Sequence, residues 1–114
     1  MAKTEARRTG DFILSEASGT RSRDEVTIAA AAAALEVGTV MGKITASGKY
    51  VAYDNGASDG SEVAAGVLYA AVADSAADQK GVIIARDAEV NASRLTGSDT
   101  AGVADLKALG VIAR

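Results

Sequence analysis

The chain has 114 residues, of which 48% are hydrophobic, and 12 basic against 15 acidic side chains give it a formal net charge of −3. It contains no cysteine, histidine, tryptophan or proline. These values indicate one domain, exclude disulfides and thiolate chemistry, remove the usual ligands of zinc, and argue against nucleic-acid binding through bulk positive charge.

The apolar content comes mainly from aliphatic residues, since aromatic residues make up only 4% of the chain. This composition is compatible with a modestly stable monomer or with a subunit that gains stability from its neighbours. No apolar run approaches the ~18 residues of a membrane helix. No apolar stretch follows the charged N-terminal residues either, so we expect neither a membrane segment nor a secretory signal.

Residues 1–25 are predicted to form a flexible N-terminal arm. Basic and acidic side chains are interleaved there, and the only apolar cluster is Phe12-Ile13-Leu14. A segment this polar buries too little surface to offset the entropy lost on ordering. Two interpretations stay open: a tail without a role, or an arm that becomes ordered on a partner through this cluster, as a strand added to a sheet edge.

Residues 26–35 contain six consecutive alanines, at positions 29–34. Alanine favours helix, but the flanking residues are typical of strands, and a helix this short is marginal on its own. We therefore predict an extended segment whose small side chains let another backbone approach closely.

Residues 40–53 are predicted to form a β-hairpin around Ala46-Ser47-Gly48, where the glycine can adopt a positive φ. Residues 54–61 are rich in turn-forming side chains and indicate a loop. The apolar runs 66–72 and 82–85 predict two buried strands, and residues 89–90 are predicted to extend the second of them.

The C-terminal residues predict a helix followed by a short strand. Ser98 or Asp99 can cap a helix over about 100–109, and Gly110 suits the left-handed position that ends it. Apolar residues at three-residue spacing give this helix an apolar stripe, and residues 111–113 form the strand. Residues 26–114 thus indicate a mainly β domain, a small β-rich or α+β fold with one short helix near the C-terminus.

The sequence offers no arrangement typical of catalysis. A Ser–His–Asp triad cannot be built without histidine, and the carboxylates fall in predicted turns rather than in a pocket. The acidic loop of residues 54–62 lacks the EF-hand spacing, which favours a polar turn over a calcium site. We expect no enzymatic activity, no metal and no cofactor.

Six short segments, in this order and spacing, carry a resemblance to a known family. They are Leu35-x-x-Gly38-Thr39-Val40-Met41-Gly42-Lys43, Gly48-Lys49-Tyr50-Val51-Ala52-Tyr53, Asp59-Gly60-Ser61, Ala65-Gly66-Val67-Leu68, Ala88-Glu89-Val90-Asn91 and Leu109-Gly110-Val111-Ile112. From about Val26 to Arg114 the chain resembles the head decoration proteins of tailed bacteriophages, the lambda D-like family.

The resemblance implies a small, mainly β, trimeric cement protein. It would bind the outside of the expanded capsid at three-fold and quasi-three-fold positions and hold the shell against the pressure of packaged DNA. In the family the N-terminal arm is mobile in the free protein and orders by joining strands of the major capsid protein. Residues 1–25 match that arm in position and character rather than in sequence.

The same resemblance implies the partners and the location. The partners are the major capsid protein and further copies of this chain in a homotrimer, without direct contact to nucleic acid or membrane. The protein would be made in the host cytoplasm and end on the outer surface of the virion.

Two sets of residues are predicted to make the contacts. The set for the capsid is Phe12, Ile13, Leu14, Val26, Ile28 and Leu35. The set for the core or the trimer, from the hairpin and the 66–72 strand, is Val40, Ile44, Tyr50, Tyr53, Leu68 and Tyr69. The alternative is a small monomeric β-domain adaptor without catalytic activity, which would bind a partner peptide in a groove with exposed aromatic residues.

Overall fold

A computed structural model of the chain describes residues 9–30 and 34–114. The elements in these ranges are β1 (Ile13–Glu16), β2 (Arg23–Ile28), β3 (Val40–Lys43), β4 (Tyr50–Ala52), β5 (Ala64–Leu68), β6 (Gln79–Ile84), β7 (Ala88–Val90), a 3-10 helix (Ala92–Arg94), α1 (Thr100–Leu109) and β8 (Val111–Ala113). This confirms the predicted mainly β fold with one short helix near the C-terminus.

Five strands form a closed barrel in the order β2-β4-β3-β5-β6. Strands β2 and β6 pair antiparallel along their whole length, from Arg23 opposite Ile84 to Ile28 opposite Gln79. The parallel contact of β2 with β4 closes the barrel at one position, Ile28 opposite Tyr50. Closure pairs the strands with one another and protects their edges from other chains.

The predicted hairpin is confirmed by β3 and β4, which pair antiparallel from Met41 opposite Ala52 to Lys43 opposite Tyr50. Gly48 in the connection has φ +74°, the conformation that its position in the turn required. The backbone N–H of Gly48 closes the turn by donating to the carbonyl oxygen of Ile44 at 2.8 Å.

A second sheet, in the order β1-β7-β8, lies beside the barrel together with α1. The helix is bounded as the sequence predicts. Oδ1 of Asp99 accepts the backbone N–H of Gly102 at 2.7 Å, and Gly110 follows with φ +90°. The chain then returns as β8, parallel to β7.

Two apolar clusters result because neighbouring residues of a strand point to opposite faces. One cluster fills the barrel and consists of Ile28, Met41, Leu68, Val72, Ile83 and Ala85. The other joins the barrel wall to the second sheet and to α1, and it consists of Phe12, Val37, Val40, Tyr53, Ala64, Val67, Ile84, Ala88, Val90, Leu106 and Val111.

Part of the predicted arm over residues 1–25 lies in regular structure. Residues 1–8 lie outside the described residues, but residues 13–16 form β1, and the predicted boundary at residue 25 falls within β2. The local composition counted only the apolar surface within the segment, whereas other parts of the chain supply more. Phe12 is buried by residues distant in the sequence, and the charged side chains of this segment form ion pairs.

Two predictions are corrected by the strand bounds. The strand predicted over 66–72 ends at Leu68, and Val72 forms an isolated bridge with Leu35. Residues 89–90 do not extend β6, because Asp87 adopts φ +52° and turns the chain into the second sheet. Within the predicted extended segment 26–35, residues 26–28 form the end of β2. Residues 31–33 of that segment lie outside the described residues.

Candidate interaction surfaces

The start of β1 is fixed to the body of the protein by Phe12. Its side chain is 0% exposed, and its carbonyl oxygen accepts the backbone N–H of Asn91 at 2.7 Å. Ile13 packs against the same core cluster. Phe12 was predicted to contact the capsid, and in this structure its side chain lies in the core.

The end of β1 is tied to the barrel by Glu16. Its Oε1 lies 2.6 Å from Nη2 of Arg23, and its Oε2 accepts the hydroxyl of the buried Ser22 at 2.5 Å. The guanidinium of Arg23 also lies over the ring of Tyr69, 4.2 Å from its centroid. The hydrogen bond from Arg23 lowers the pKa of Glu16, against the opposing effect of burial, so the carboxylate stays charged and holds the strand in place.

Between these two anchors, Leu14 is 55% exposed. It belongs to β1, which within residues 9–30 and 34–114 pairs with β7 alone and forms one edge of the second sheet. The register shifts between Ile13 and Ser15, and such a bulge disturbs the ladder locally. Leu14 is therefore an apolar side chain held in solvent on a firmly anchored edge strand, as a contact residue would be.

The other residues predicted for the capsid do not join Leu14 on this surface. Ile28 is buried in the barrel. Val26 and Leu35 are half-buried and pack against the same cluster. Of the six predicted residues, five therefore lie in or against the two apolar clusters, and Leu14 alone is exposed.

The residues predicted for the core or the trimer lie mostly in the interior. Val40, Tyr53 and Leu68 are buried in the two clusters. Tyr50 and Tyr69 pack against these clusters from half-buried positions. Ile44 is half-buried at the end of the hairpin. The buried residues support the core part of this prediction, while the trimer part remains a prediction.

A second surface lies where the start of β5 meets the end of α1. Val63 is 53% exposed there and Leu109 is 41% exposed. They line a shallow depression whose other lining residues are four alanines, one tyrosine and three charged side chains: Asp24, Tyr50, Ala64, Ala65, Ala85, Arg86, Asp87 and Ala108. We call this surface the Val63–Leu109 depression.

This depression was not predicted from the sequence, although the apolar stripe of α1 indicated one of its two exposed apolar residues, Leu109. Residues three apart on a helix are offset by about 60°. A stripe of Val103, Leu106 and Leu109 therefore rotates away from any one face. Leu106 is fully buried and Leu109 is not. Val63 has no comparable signal, because it lies in the turn before β5.

The charged side chains of the depression are paired with one another or with close neighbours. Nη2 of Arg86 lies 2.6 Å from Oδ2 of Asp24, and its Nη1 donates to the carbonyl oxygen of Arg21 at 2.8 Å. Nε of Arg21 in turn lies 3.9 Å from Oδ2 of Asp87. Burial, with a contribution from Asp24, raises the pKa of Tyr50, so its hydroxyl remains a neutral polar group. The depression is therefore lined by apolar and charged side chains, and the charged ones are paired within the chain.

Among residues 9–30 and 34–114, no group of three or more acidic side chains is placed to hold a metal ion. The helix of the described residues is too short to cross a membrane.

Comparison with known proteins identifies one family. Residues 2–111, nearly the whole chain, match the family model described as bacteriophage lambda head decoration protein D. A search of curated proteins found no match.

Proposed function

Because the chain belongs to the bacteriophage lambda head decoration protein D family, we propose that it is a cement protein of an expanded phage head. It binds the outer surface as a homotrimer at three-fold and quasi-three-fold positions. There it stabilises the shell against the pressure of packaged DNA. The observation that carries this proposal is the family match over residues 2–111. A head decoration protein is a structural component of the virion.

The N-terminal segment is the proposed contact with the major capsid protein. Support comes from β1, an edge strand with an exposed Leu14. Phe12 and Glu16 anchor this strand at its two ends. In the proposal, Leu14 and the residues that precede Phe12 meet the capsid, while Phe12 fixes the root of the segment. An extended segment that pairs with a strand of its partner gains main-chain hydrogen bonds.

Stabilisation of the shell requires no chemistry. A protein that binds the expanded lattice more tightly than the unexpanded one shifts the equilibrium by its difference in affinity. Three copies held in one trimer present three capsid contacts at once, which raises the overall affinity without any new contact.

The adaptor alternative receives no support from the aromatic residues. Phe12 and Tyr53 are buried, and Tyr50 and Tyr69 are half-buried. The exposed aromatic groove that a peptide adaptor would need is therefore not formed by any of the four.

The test is co-sedimentation with empty heads of the phage that encodes the chain, in the expanded and the unexpanded form. We expect saturable binding to the expanded form only, with three copies per three-fold or quasi-three-fold position. Absence of binding, or equal binding to both forms, would reject the cement function.

A pair of variants tests the assigned contact. Leu14→Asp should reduce binding to expanded heads, whereas Thr27→Asp, which places the same charge at an exposed position of β2, should bind as the unaltered protein does. Equal binding by both variants would reject the role of Leu14.

A further inference from the structure

We propose that Asn55, in the loop between β4 and β5, is a site of spontaneous modification, at which attack by the backbone nitrogen of Gly56 converts the side-chain amide to an acid. This inference depends neither on the trimer nor on the capsid. The chain contains two asparagines, Asn55 and Asn91, and of these Asn55 alone is followed by glycine. Glycine has no Cβ and the greatest backbone freedom, so its nitrogen reaches the preceding side chain most easily.

The reaction needs water as its only co-reactant. The nitrogen of Gly56 forms a bond to Cγ of Asn55, the bond from Cγ to Nδ2 breaks, and Nδ2 leaves as ammonia together with the proton of Gly56. A cyclic imide remains in the chain. Water then opens this ring at Cγ, which gives aspartate, or at the backbone carbonyl of residue 55, which gives isoaspartate. Either product is an acid that ionises below neutral pH and adds a negative charge to the loop.

Both reacting groups are accessible. Asn55 and Gly56 are exposed. Among the residues that the structure describes, none forms a hydrogen bond with the side-chain amide of Asn55. A Cβ atom built on Gly56 would have Oδ1 of Asp54 as its nearest neighbour, at 3.4 Å. The attacking nitrogen therefore lies in an open part of the surface, where the chain has room to rearrange.

The turn that carries Asn55 is held by Asp54 alone through two hydrogen bonds among the described residues. The carbonyl oxygen of Asp54 accepts the N–H of Ala57 at 3.0 Å, and its Oδ1 accepts the N–H of Gly56 at 2.9 Å. Both bonds are exposed, and water competes for their donors and acceptors, so the turn opens readily. The carboxylate also lies within hydrogen-bond distance of the proton that Gly56 has to lose.

The other acid–glycine pair of the same loop, Asp59-Gly60, is fixed in a way that opposes this reaction. Oδ1 of Asp59 accepts the hydroxyl of Ser61 at 2.5 Å and its N–H at 3.0 Å. These two bonds lower the pKa of Asp59, and an ionised carboxylate resists a nucleophile. Gly60 has φ +111°, and a Cβ there would lie 2.6 Å from the carbonyl oxygen of Lys43. The backbone at this pair is therefore tightly enclosed.

Asn91 serves as a control within the chain. Its Oδ1 accepts the hydroxyl of Ser93 at 2.7 Å and its N–H at 3.1 Å, which caps the 3-10 helix. The nitrogen that would attack it belongs to Ala92 and donates to the carbonyl oxygen of Arg114 at 3.1 Å. Because both the amide and the nitrogen are engaged, we expect Asn91 to stay unmodified.

The modification should leave the body of the protein folded, because the two ends of the loop are fixed. Tyr53 before the turn is 7% exposed and Ser61 after it is 2% exposed. The N–H of Asp54 donates to the carbonyl oxygen of Ser61 at 3.1 Å. The additional backbone atom of isoaspartate therefore falls between fixed points, within the exposed part of the loop.

The test is peptide mapping of the full chain after incubation in mildly alkaline buffer. Trypsin cleaves after lysine and arginine, so it places the two asparagines in different peptides, residues 50–80 and 87–94. Mass spectrometry detects the change from amide to acid, and chromatography separates the aspartate form from the isoaspartate form. A synthetic peptide of residues 52–60 gives the rate without the fold. We expect Asn55 to convert in the protein at a rate close to that in the peptide, while residues 87–94 keep their mass.

Gly56→Ala is the matched variant. It adds a Cβ where the nearest atom is 3.4 Å away, so the melting temperature should be retained while the conversion of Asn55 is largely lost. An intact Asn55 in the folded protein, over a time in which the peptide converts, would overturn the inference because the fold would then protect this residue. Conversion of Asn91 as fast as that of Asn55, or an unchanged rate in Gly56→Ala, would also overturn it.

Discussion

The phenolic hydroxyl of Tyr53 donates a hydrogen bond to Oδ1 of Asp99 at 2.9 Å. The same carboxylate oxygen accepts the backbone N–H of Gly102 in the first turn of α1. Burial, together with the bond to Asp99, raises the pKa of Tyr53 to about 12, so the hydroxyl remains a donor. One oxygen atom thus both caps the helix and joins it to the end of the hairpin.

Two variants that remove this connection should each lower the free energy of unfolding. We expect Tyr53→Phe to lower the free energy of unfolding by about 1 kcal/mol, the usual contribution of one hydrogen bond. Asp99→Ala also removes the helix cap and should cost about 1–2 kcal/mol. Urea unfolding of both single variants and the double variant checks this, because the effects should fall short of additive. Full additivity would show that the two side chains act independently.

The burial of Phe12 makes a prediction that separates the observed fold from a free arm. We expect Phe12→Ala to lower the free energy of unfolding by about 3–5 kcal/mol, as for other buried phenylalanines. Leu14→Ala, two residues away and exposed, should stay within about 0.5 kcal/mol. Both values follow from denaturant unfolding of the isolated protein. Equal stability of the two variants would mean that residues 9–16 do not pack on the body in solution.

The ion pair of Glu16 predicts how stability depends on pH. The pKa of Glu16 is lowered in the folded protein from its ordinary value of 4.5. The ionised carboxylate therefore contributes stability above that ordinary value, and this contribution is lost as the pH falls through the lower folded pKa. The difference between the protein and its Glu16→Gln variant should be largest at about pH 7 and should shrink towards about pH 3.

A second variant tests the same ion pair from the other side. Arg23→Gln removes the partner of Glu16. The difference in free energy of unfolding between this variant and the unaltered protein should likewise shrink as the solution is acidified. A difference that stays constant with pH in both variants would contradict a role for the charge of Glu16.

Gly42 lies where the backbone of another segment leaves no room for a side chain. A Cβ atom there would lie 2.5 Å from the carbonyl oxygen of Ser61 and 2.7 Å from its Cα. We expect Gly42→Ala to destabilise the protein by about 1–3 kcal/mol, as overpacking does elsewhere. The control is Gly56→Ala, where the nearest atom lies 3.4 Å away. Thermal unfolding compares the two variants, and equal melting temperatures would contradict the close approach.

Local signals were enough to predict the elements that depend on neighbours in the sequence. The turn of the hairpin follows from Gly48, and the bounds of α1 follow from Asp99 and Gly110, because each acts on the backbone within a few residues. The mainly β character follows from short apolar runs between turn residues. The resemblance to the decoration family also came from sequence, since it rests on the order and spacing of segments.

The interaction surfaces could be predicted only in part. Leu14 was among the residues assigned to the capsid, and it is exposed, but Phe12 beside it is buried. Adjacent residues of a strand point to opposite faces. Which face becomes covered depends on β7 and on the core behind it. The local sequence holds no information on that choice.

The sequence by itself determined the hairpin turn at Gly48, where the helix begins and ends, and to which family the chain belongs, because these depend on short-range backbone preferences and on linear order. Only the tertiary structure decided which apolar residues remain in solvent. Val63 and Leu109 are far apart in the sequence but line one depression, where Asp105 ties the helix to the start of β5. Phe12 leaves solvent because residues from several distant strands surround it. Burial is a property of the packed chain, and a polar segment can be ordered by apolar surface that other segments supply.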